Sequence, residues 1–270
     1  MRIRPDTVVA FGGYLSAPTV FCAWLLGIDS IIHEQAAVPG LANRINALFA
    51  KKVFLTWQTT QKYFSNPTEV IGNLTRKVIA TTHAKDPKIK EFLKKSKKLI
   101  FITGGNQGSH FLNLLTFELM PRLANFSILH QVGTTNYEGD QNRAAAVNKL
   151  NYLPVDYLDS DSVGAVLNRA DLVIARSGAN TVWDLAILAK VAILIPLPIS
   201  ASGEQEANSK ILEIAGSAVV IEQKKASTQK ILEAVSKLTS ESAYYRQKAK
   251  QFSKTLPKNA AEIIAKTLIK

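Results

Sequence analysis

The chain has 270 residues, 47% of them hydrophobic, and 33 Lys+Arg against 21 Asp+Glu give it a net charge of +12. That length holds a buried core in two modest domains, while the single cysteine, Cys22, excludes an internal disulfide and a cysteine zinc cluster and points to a reducing compartment. The charge predicts anionic partners. Without RNA-binding aromatics or zinc-finger spacing, nucleic acid is not among them.

In chain order, the opening "MRIRPDTVVAF" has no signal-peptide apolar region, and no apolar span reaches roughly 18 residues anywhere, so a cytoplasmic protein without a transmembrane helix is expected. Strands are predicted at Thr7 to Phe11, Ser30 to His33 and Val53 to Thr56, with a helix over Ala17 to Leu26. The lysine-rich stretch from Lys77 to Lys98, interrupted by Pro87, reads as an interdomain connection plus the first helix of a second domain. Strands follow at Leu99 to Thr103, Ser127 to Val132, Leu172 to Ala175, Ala192 to Ile195 and Ala218 to Ile221. Helices lie between them at His110 to Leu123, Val163 to Arg169, Thr181 to Ala189 and Ala207 to Ala215. Continuous apolar strands alternating with amphipathic helices predict an α/β fold with parallel sheets. The first half, with about three strands, makes a poor sheet by itself. From Ser240 to Lys270 one or two helices are expected, separated at Pro257.

Four strand-to-loop junctions share one design: "VVAFGGYLS", "VIGNLTR", "IFITGGNQGSH" and "IARSGANTVWDLA". Glycine after a parallel strand lets the backbone approach a ligand, and helix N-termini favour phosphate. Each junction alone reads first as an ordinary turn, and the spacing matches neither the Walker A nor the dinucleotide pattern. Together they predict a nucleotide-bearing ligand in an interdomain cleft. Asp184, taken alone, reads first as a helix-dipole acid and second as an acceptor for ribose hydroxyls. Gln205 and Asn208 share a helix face and suit a sugar, or capping. His33 beside Glu34 invites a general acid/base reading, although strand neighbours point to opposite faces. No metal-ligand spacing is present and no metal or cofactor is expected.

The stretches "FGGYLSAPTVFCAWLLGI", "IIHEQAAVPGLANRINALFAKKVF", "VIGNLTR", "ITGGNQGSHFLN", "ADLVIARSGANTVWDLA" and "EQEANSKILEIAGSAVVIEQ" resemble glycosyltransferase family 28, in the order in which that family carries them. The resemblance covers essentially the whole chain. It implies the GT-B architecture, two Rossmann-like domains, and the inverting, metal-independent transfer of GlcNAc from UDP-GlcNAc to the C4 hydroxyl of the MurNAc unit of a polyprenyl-diphosphate-linked acceptor, converting lipid I to lipid II in peptidoglycan synthesis. Residues 1–76 would be the acceptor and membrane domain, 77–250 the UDP-GlcNAc domain, and 251–270 a C-terminal helix packing back on the first domain.

By the same resemblance Arg76 lies on the diphosphate side, and Asn106 stands where the family usually has a serine. The Leu158 backbone meets uracil, Ala179, Asn180, Thr181, Val182 and Asp184 form the donor loop and helix start, and Gln205 contacts the GlcNAc. Gly12, Gly13 and Tyr14 form an acceptor-side loop, and His33 and Glu34 line the cleft. Asp184 replaces a glutamate, Ala36 an asparagine and Leu74 a proline, which opens the exact sugar donor to question. The family places a strand and a "GGTGGH"-like loop, with its proposed base histidine, before the position of Met1. The first domain is therefore expected to be incomplete, with no assigned base beyond His33 and Glu34. The alternative is a donor-binding subunit, or a non-catalytic UDP-sugar-binding fragment, completed by a second chain. Trp24, Leu25 and Leu26, near Arg44, Lys51 and Lys52 in sequence, suit an anionic membrane surface on the cytoplasmic side.

Overall fold

A computed structural model describes residues 5–75, 79, 83–200 and 203–269 of the chain. Two compact units emerge, one made of Met1–Thr75, Ile199–Asn208 and Leu256–Lys270, the other of Arg76–Pro198 and Ser209–Thr255.

The first unit is a four-stranded parallel sheet in the order β1 (Thr7–Ala10), β2 (Asp29–Glu34), β3 (Lys52–Leu55), β4 (Thr68–Val70). Helices α1 (Ser16–Leu25) and α2 (Leu41–Ala47) belong to one face, where Ala10, Val20, Ile32, Ala47, Val53 and Leu55 form a core. On the other face Ile31, Phe54 and Ile71 bury against Ala260 and Ile264 of α11 (Ala260–Leu268). Ile31 and Ile32 thus serve opposite faces, and burial on both sides explains why β2 reads as an apolar run. The segment Ile199–Asn208, assigned from sequence to the second domain, belongs to this unit. There the Asn208 Oδ1 accepts a hydrogen bond from the Ala37 N–H at 2.8 Å. β4 is a fourth strand that the sequence did not reveal. Its Thr-Glu-Val composition is that of a short, partly exposed edge strand rather than of a core strand.

The second unit is a six-stranded parallel sheet built from β5 (Leu99–Thr103), β6 (Ser127–Gln131), β7 (Tyr152–Val155), β8 (Leu172–Ala175), β9 (Ala192–Leu194) and β10 (Ala218–Val220). The spatial order is β10-β9-β8-β5-β6-β7. Its helices are α3 (Pro87–Lys95), α4 (His110–Leu119), α5 (Asp140–Ala145), α6 (Ser160–Arg169), α7 (Ala179–Ile187), the part of α8 (Glu204–Ile214) from Ser209 onward, α9 (Thr228–Ser240) and α10 (Ser242–Thr255). α3 starts as its sequence dictates: Asp86 caps the Lys88 and Ile89 N–H groups and Pro87 occupies the first turn. Every residue of β5 is buried, Ile100 and Ile102 packing with Leu112, Leu119, Ile193 and Ile231. β7 escaped the sequence reading because Pro154 interrupts it. It sits at the sheet edge, where proline's missing N–H breaks no ladder.

Candidate functional site

In the second unit the chain winds outward from β5 through β6 to β7, then returns to β8 on the other side of β5 and continues to β9 and β10. β5 and β8 are therefore the pair at which the winding reverses, and loops leaving their C-terminal ends diverge to open a crevice. The two loops there are Gly104–Ser109 and Arg176–Gly178, the glycine junctions singled out from sequence.

The first of these loops is held by its own residues. Thr103 Oγ1 accepts from the Gly105 N–H at 3.0 Å, the Gly105 carbonyl accepts from the Gly108 N–H at 3.1 Å, and Ser109 caps α4 through the Leu112 N–H. Gly108 has φ +88, and a Cβ there would lie 2.1 Å from the Val132 carbonyl oxygen. Only glycine lets the loop cross the end of β6 this closely. Asn106 is exposed at the tip, and its carbonyl accepts from the Thr134 N–H at 2.9 Å.

The second loop feeds α7, whose N-cap is Gly178. Gly178 has no side chain with which to cap the helix, and the first turn carries no acid. Such an acid-free helix start favours an anion. Ala179 is partly buried, Asn180 exposed and Thr181 partly buried at this start. Val182 is different: its side chain is fully buried and its N–H is donated to the Gly178 carbonyl at 3.0 Å, so it anchors α7 to the core rather than facing the edge. Asp184 lies beyond the first turn, where the dipole effect has fallen off, so its reading as a dipole acid lapses. Leu158 is buried beside Asp159, the cap of α6, in the loop that follows β7 on the same sheet edge.

Arg176 is the buried side chain at this edge that sequence reasoning passed over, as part of a turn. It is 9% exposed and bonds to Ser109, Ile195, Pro196 and Gln223, residues that follow β5, β9 and β10 or end those segments. The available signal was an arginine placed directly after a four-residue apolar strand.

In the first unit, Gly12 and Gly13 have φ +92 and +83, and the Gly13 carbonyl accepts from the Ser16 N–H and hydroxyl. Tyr14 is 83% exposed beside them. His33 and Glu34 part company. The His33 ring is buried, edge-on to Phe11, with Nε2 2.9 Å from the Gly72 carbonyl. Its Nδ1 has no hydrogen-bond partner among the described residues, and burial lowers its pKa despite the Gly72 contact, favouring the neutral ring. Glu34 points elsewhere, accepting from the Ala36 N–H at 2.8 Å and Asn43 Nδ2 at 2.9 Å. Burial raises its pKa, those hydrogen bonds pull it back, and the charge of Glu204 raises it again. Burial likewise raises the pKa of Glu204. The sequence-adjacent pair is thus not a histidine–carboxylate dyad. Asn43, not a site candidate at the outset, bonds to Glu34, and Asn208, read from sequence as suited to a sugar or to capping, instead accepts from the Ala37 N–H. Gln205 is partly buried, and its N–H donates to Ser200 Oγ at 3.2 Å. Arg76 lies outside the described residues. Among the described residues no group of three His, Cys, Asp or Glu could hold a metal ion.

Comparison with known proteins bears on both units. The model for the glycosyltransferase family 28 C-terminal domain matches residues 99–265, and that for the family's N-terminal domain matches residues 1–55. A UDP-N-acetylglucosamine–N-acetylmuramyl-(pentapeptide) pyrophosphoryl-undecaprenol N-acetylglucosamine transferase of Halothermothrix orenii is 31% identical over 269 residues, covering 95% of this chain and 72% of the relative. One from Anaeromyxobacter sp. is 33% identical over 226 residues, 82% of this chain. The chain covers 57% of that relative's length. Among solved structures, Acinetobacter baumannii MurG has a TM-score of 0.73 at 26% identity, covering 97% of this chain and 73% of that one. S. aureus MnaA, solved with UDP, has a TM-score of 0.74 at 14% identity and is a likeness of fold alone.

Proposed function

This chain belongs to glycosyltransferase family 28, and from that premise we propose that it acts in the inverting transfer of GlcNAc from UDP-GlcNAc to the MurNAc unit of undecaprenyl-diphospho-MurNAc-pentapeptide. The observation that carries this reading is the edge of the second unit. A tightly turned glycine loop and an acid-free helix start with glycine at its N-cap meet where the strand order reverses, beside a buried arginine. Such an edge suits a nucleoside diphosphate. The α7 amides face the phosphates, Asp184 accepts from the ribose hydroxyls, and the Leu158 backbone reads the uracil. Arg76 serves the diphosphate and Gln205 the sugar. In the transfer, the acceptor hydroxyl attacks the anomeric carbon as the UDP oxygen departs. Helix-terminal amides and arginine stabilise the charge that develops on the leaving group.

The acceptor hydroxyl must lose a proton. A buried His33 and an internally bonded Glu34 are poorly disposed to take it. A second reading, favoured by the edge position of β1 among the described residues, is that the chain binds the donor and works with a second chain that adds strands beside β1 and supplies the base. On either reading the first unit meets the cytoplasmic face of an anionic membrane. Tyr14, Leu15, Trp24, Leu25, Leu26, Leu41 and Leu48 are exposed there, and Arg44, Lys51 and Lys52 belong to the same unit.

Calorimetric titration with UDP-GlcNAc, and with UDP-glucose for comparison, tests the donor assignment. UDP-GlcNAc is expected to bind in preference to UDP-glucose, and Asp184→Ala to weaken binding about tenfold through loss of a charge-assisted hydrogen bond. A folded chain that binds neither nucleotide sugar would overturn the reading.

A further inference from the structure

Arg176 directly follows β8 at the reversal of strand order, yet its side chain turns inward. Nη2 donates to Ser109 Oγ at 2.9 Å and to Gln223 Oε1 at 2.6 Å, and Nε also reaches Ser109 Oγ at 3.2 Å. Nη1 donates to the carbonyls of Ile195 at 3.0 Å and Pro196 at 3.3 Å. The guanidinium lies over the Phe111 ring at 5.6 Å. One side chain therefore ties together segments at the ends of β5, β9 and β10, 67, 19 and 47 residues away in sequence.

All of these acceptors are neutral, and no carboxylate pairs with Arg176 among the described residues. Buried arginines are ordinarily paired with an acid, because the field of a desolvated charge is otherwise uncompensated. Burial lowers the pKa to about 10, which leaves the group charged at neutral pH. Arg169 of the same unit shows the ordinary arrangement, paired with Asp171 at 3.1 Å. The Arg176 charge is fixed beneath the loop edge that also carries the Gly104–Ser109 backbone and the start of α7.

We infer that Arg176 is a positioning residue with a built-in countercharge: it locks the glycine loop through Ser109 and supplies positive potential that the diphosphate of a nucleotide sugar neutralises. The inference rests on the proposed donor site and deepens it. Its charge acts through a low-dielectric interior, so its effect scales with the charge of the ligand rather than with the ligand's shape. Its geometric role instead needs the planar fork, which lysine cannot reproduce.

The test uses the whole chain and ligand-observed NMR titration, which measures strong and weak binding alike, with UDP and uridine as probes. Arg176→Met is expected to weaken UDP binding about tenfold or more while changing uridine binding less than about twofold. Arg176→Lys, which keeps the charge without the fork, is expected to recover most of the UDP affinity. Arg176→Gln, neutral but still able to donate to Ser109 and Ile195, is the form of the test that tolerates loss of fold in the methionine variant, and the same UDP-selective loss is expected of it. Equal losses for UDP and uridine in a folded neutral variant, or UDP affinity unchanged, would overturn the inference. Failure of the unsubstituted chain to bind UDP would instead overturn the donor-site reading on which it stands.

Discussion

At the scale of single residues, the interior of the second unit holds a polar chain that ties stability to pH. Asp140 Oδ2 accepts from Asn113 Nδ2 at 2.7 Å, Asn113 Oδ1 meets His130 Nε2 at 3.0 Å, and His130 Nδ1 meets the Tyr152 hydroxyl at 2.9 Å. Burial lowers the His130 pKa from 6.5 to about 3, with Asp140 opposing weakly. The unfolded chain therefore binds the proton first. The stability linked to this group is fully present above pH 6.5 and is lost as pH falls toward 3, with a slope of up to about 1.4 kcal/mol per pH unit. Urea midpoints measured between pH 4 and 7 are expected to show this slope, and His130→Gln to flatten it while lowering the midpoint at pH 7. His33, also buried with a lowered pKa, adds a slope of the same sign from the first unit. None of this was legible in the sequence, where His130 is one more residue of an apolar strand and its partners lie 17 and 22 positions away. The same holds for Arg176, visible as a letter in a turn while its partners lay in three other segments.

At the scale of elements, long apolar strands and their glycine junctions were readable because burial on both faces writes an unbroken pattern into β5 and β8. β4 and β7 were not readable, since an edge strand need be neither apolar nor free of proline. Strand order left no local trace, because it is set by crossovers and not by any one segment. The two glycines Gly105 and Gly108 look alike in sequence, with φ +89 and +88, but the structure separates them. A Cβ on Gly105 meets nothing within 4 Å, whereas on Gly108 it would strike the Val132 carbonyl oxygen at 2.1 Å. Gly105→Ala is accordingly expected to cost about 1–2 kcal/mol of backbone strain. Gly108→Ala adds a backbone clash and is expected to cost about 3 kcal/mol or more, with a matching loss of UDP affinity. Urea unfolding of the two variants side by side distinguishes them; equal midpoints would show that the crossing with β6 is not tight.

At the scale of the whole molecule, the chain has a charge of +12, and no helix among the described residues is long and apolar enough to cross a membrane. The first unit nevertheless exposes the outer faces of α1 and α2, with Phe21, Trp24 and Phe49 clustered at ring separations of 5.2 to 5.9 Å. Co-sedimentation with vesicles containing anionic lipid is expected to exceed that with neutral vesicles. It should fall with salt as the screening length shortens from about 10 Å at 0.1 M to about 3 Å at 1 M. Trp24→Ala together with Leu25→Ala should reduce binding to both vesicle types, since the apolar contribution does not depend on lipid charge. Of the three tryptophans, Trp57 and Trp183 are 4% and 1% exposed, while Trp24 is 52% exposed. Excited selectively at tryptophan, the chain thus has a single water-facing indole, set within the apolar patch. A blue shift on adding vesicles, quenched by brominated acyl chains, would report the docking of that one indole without any label.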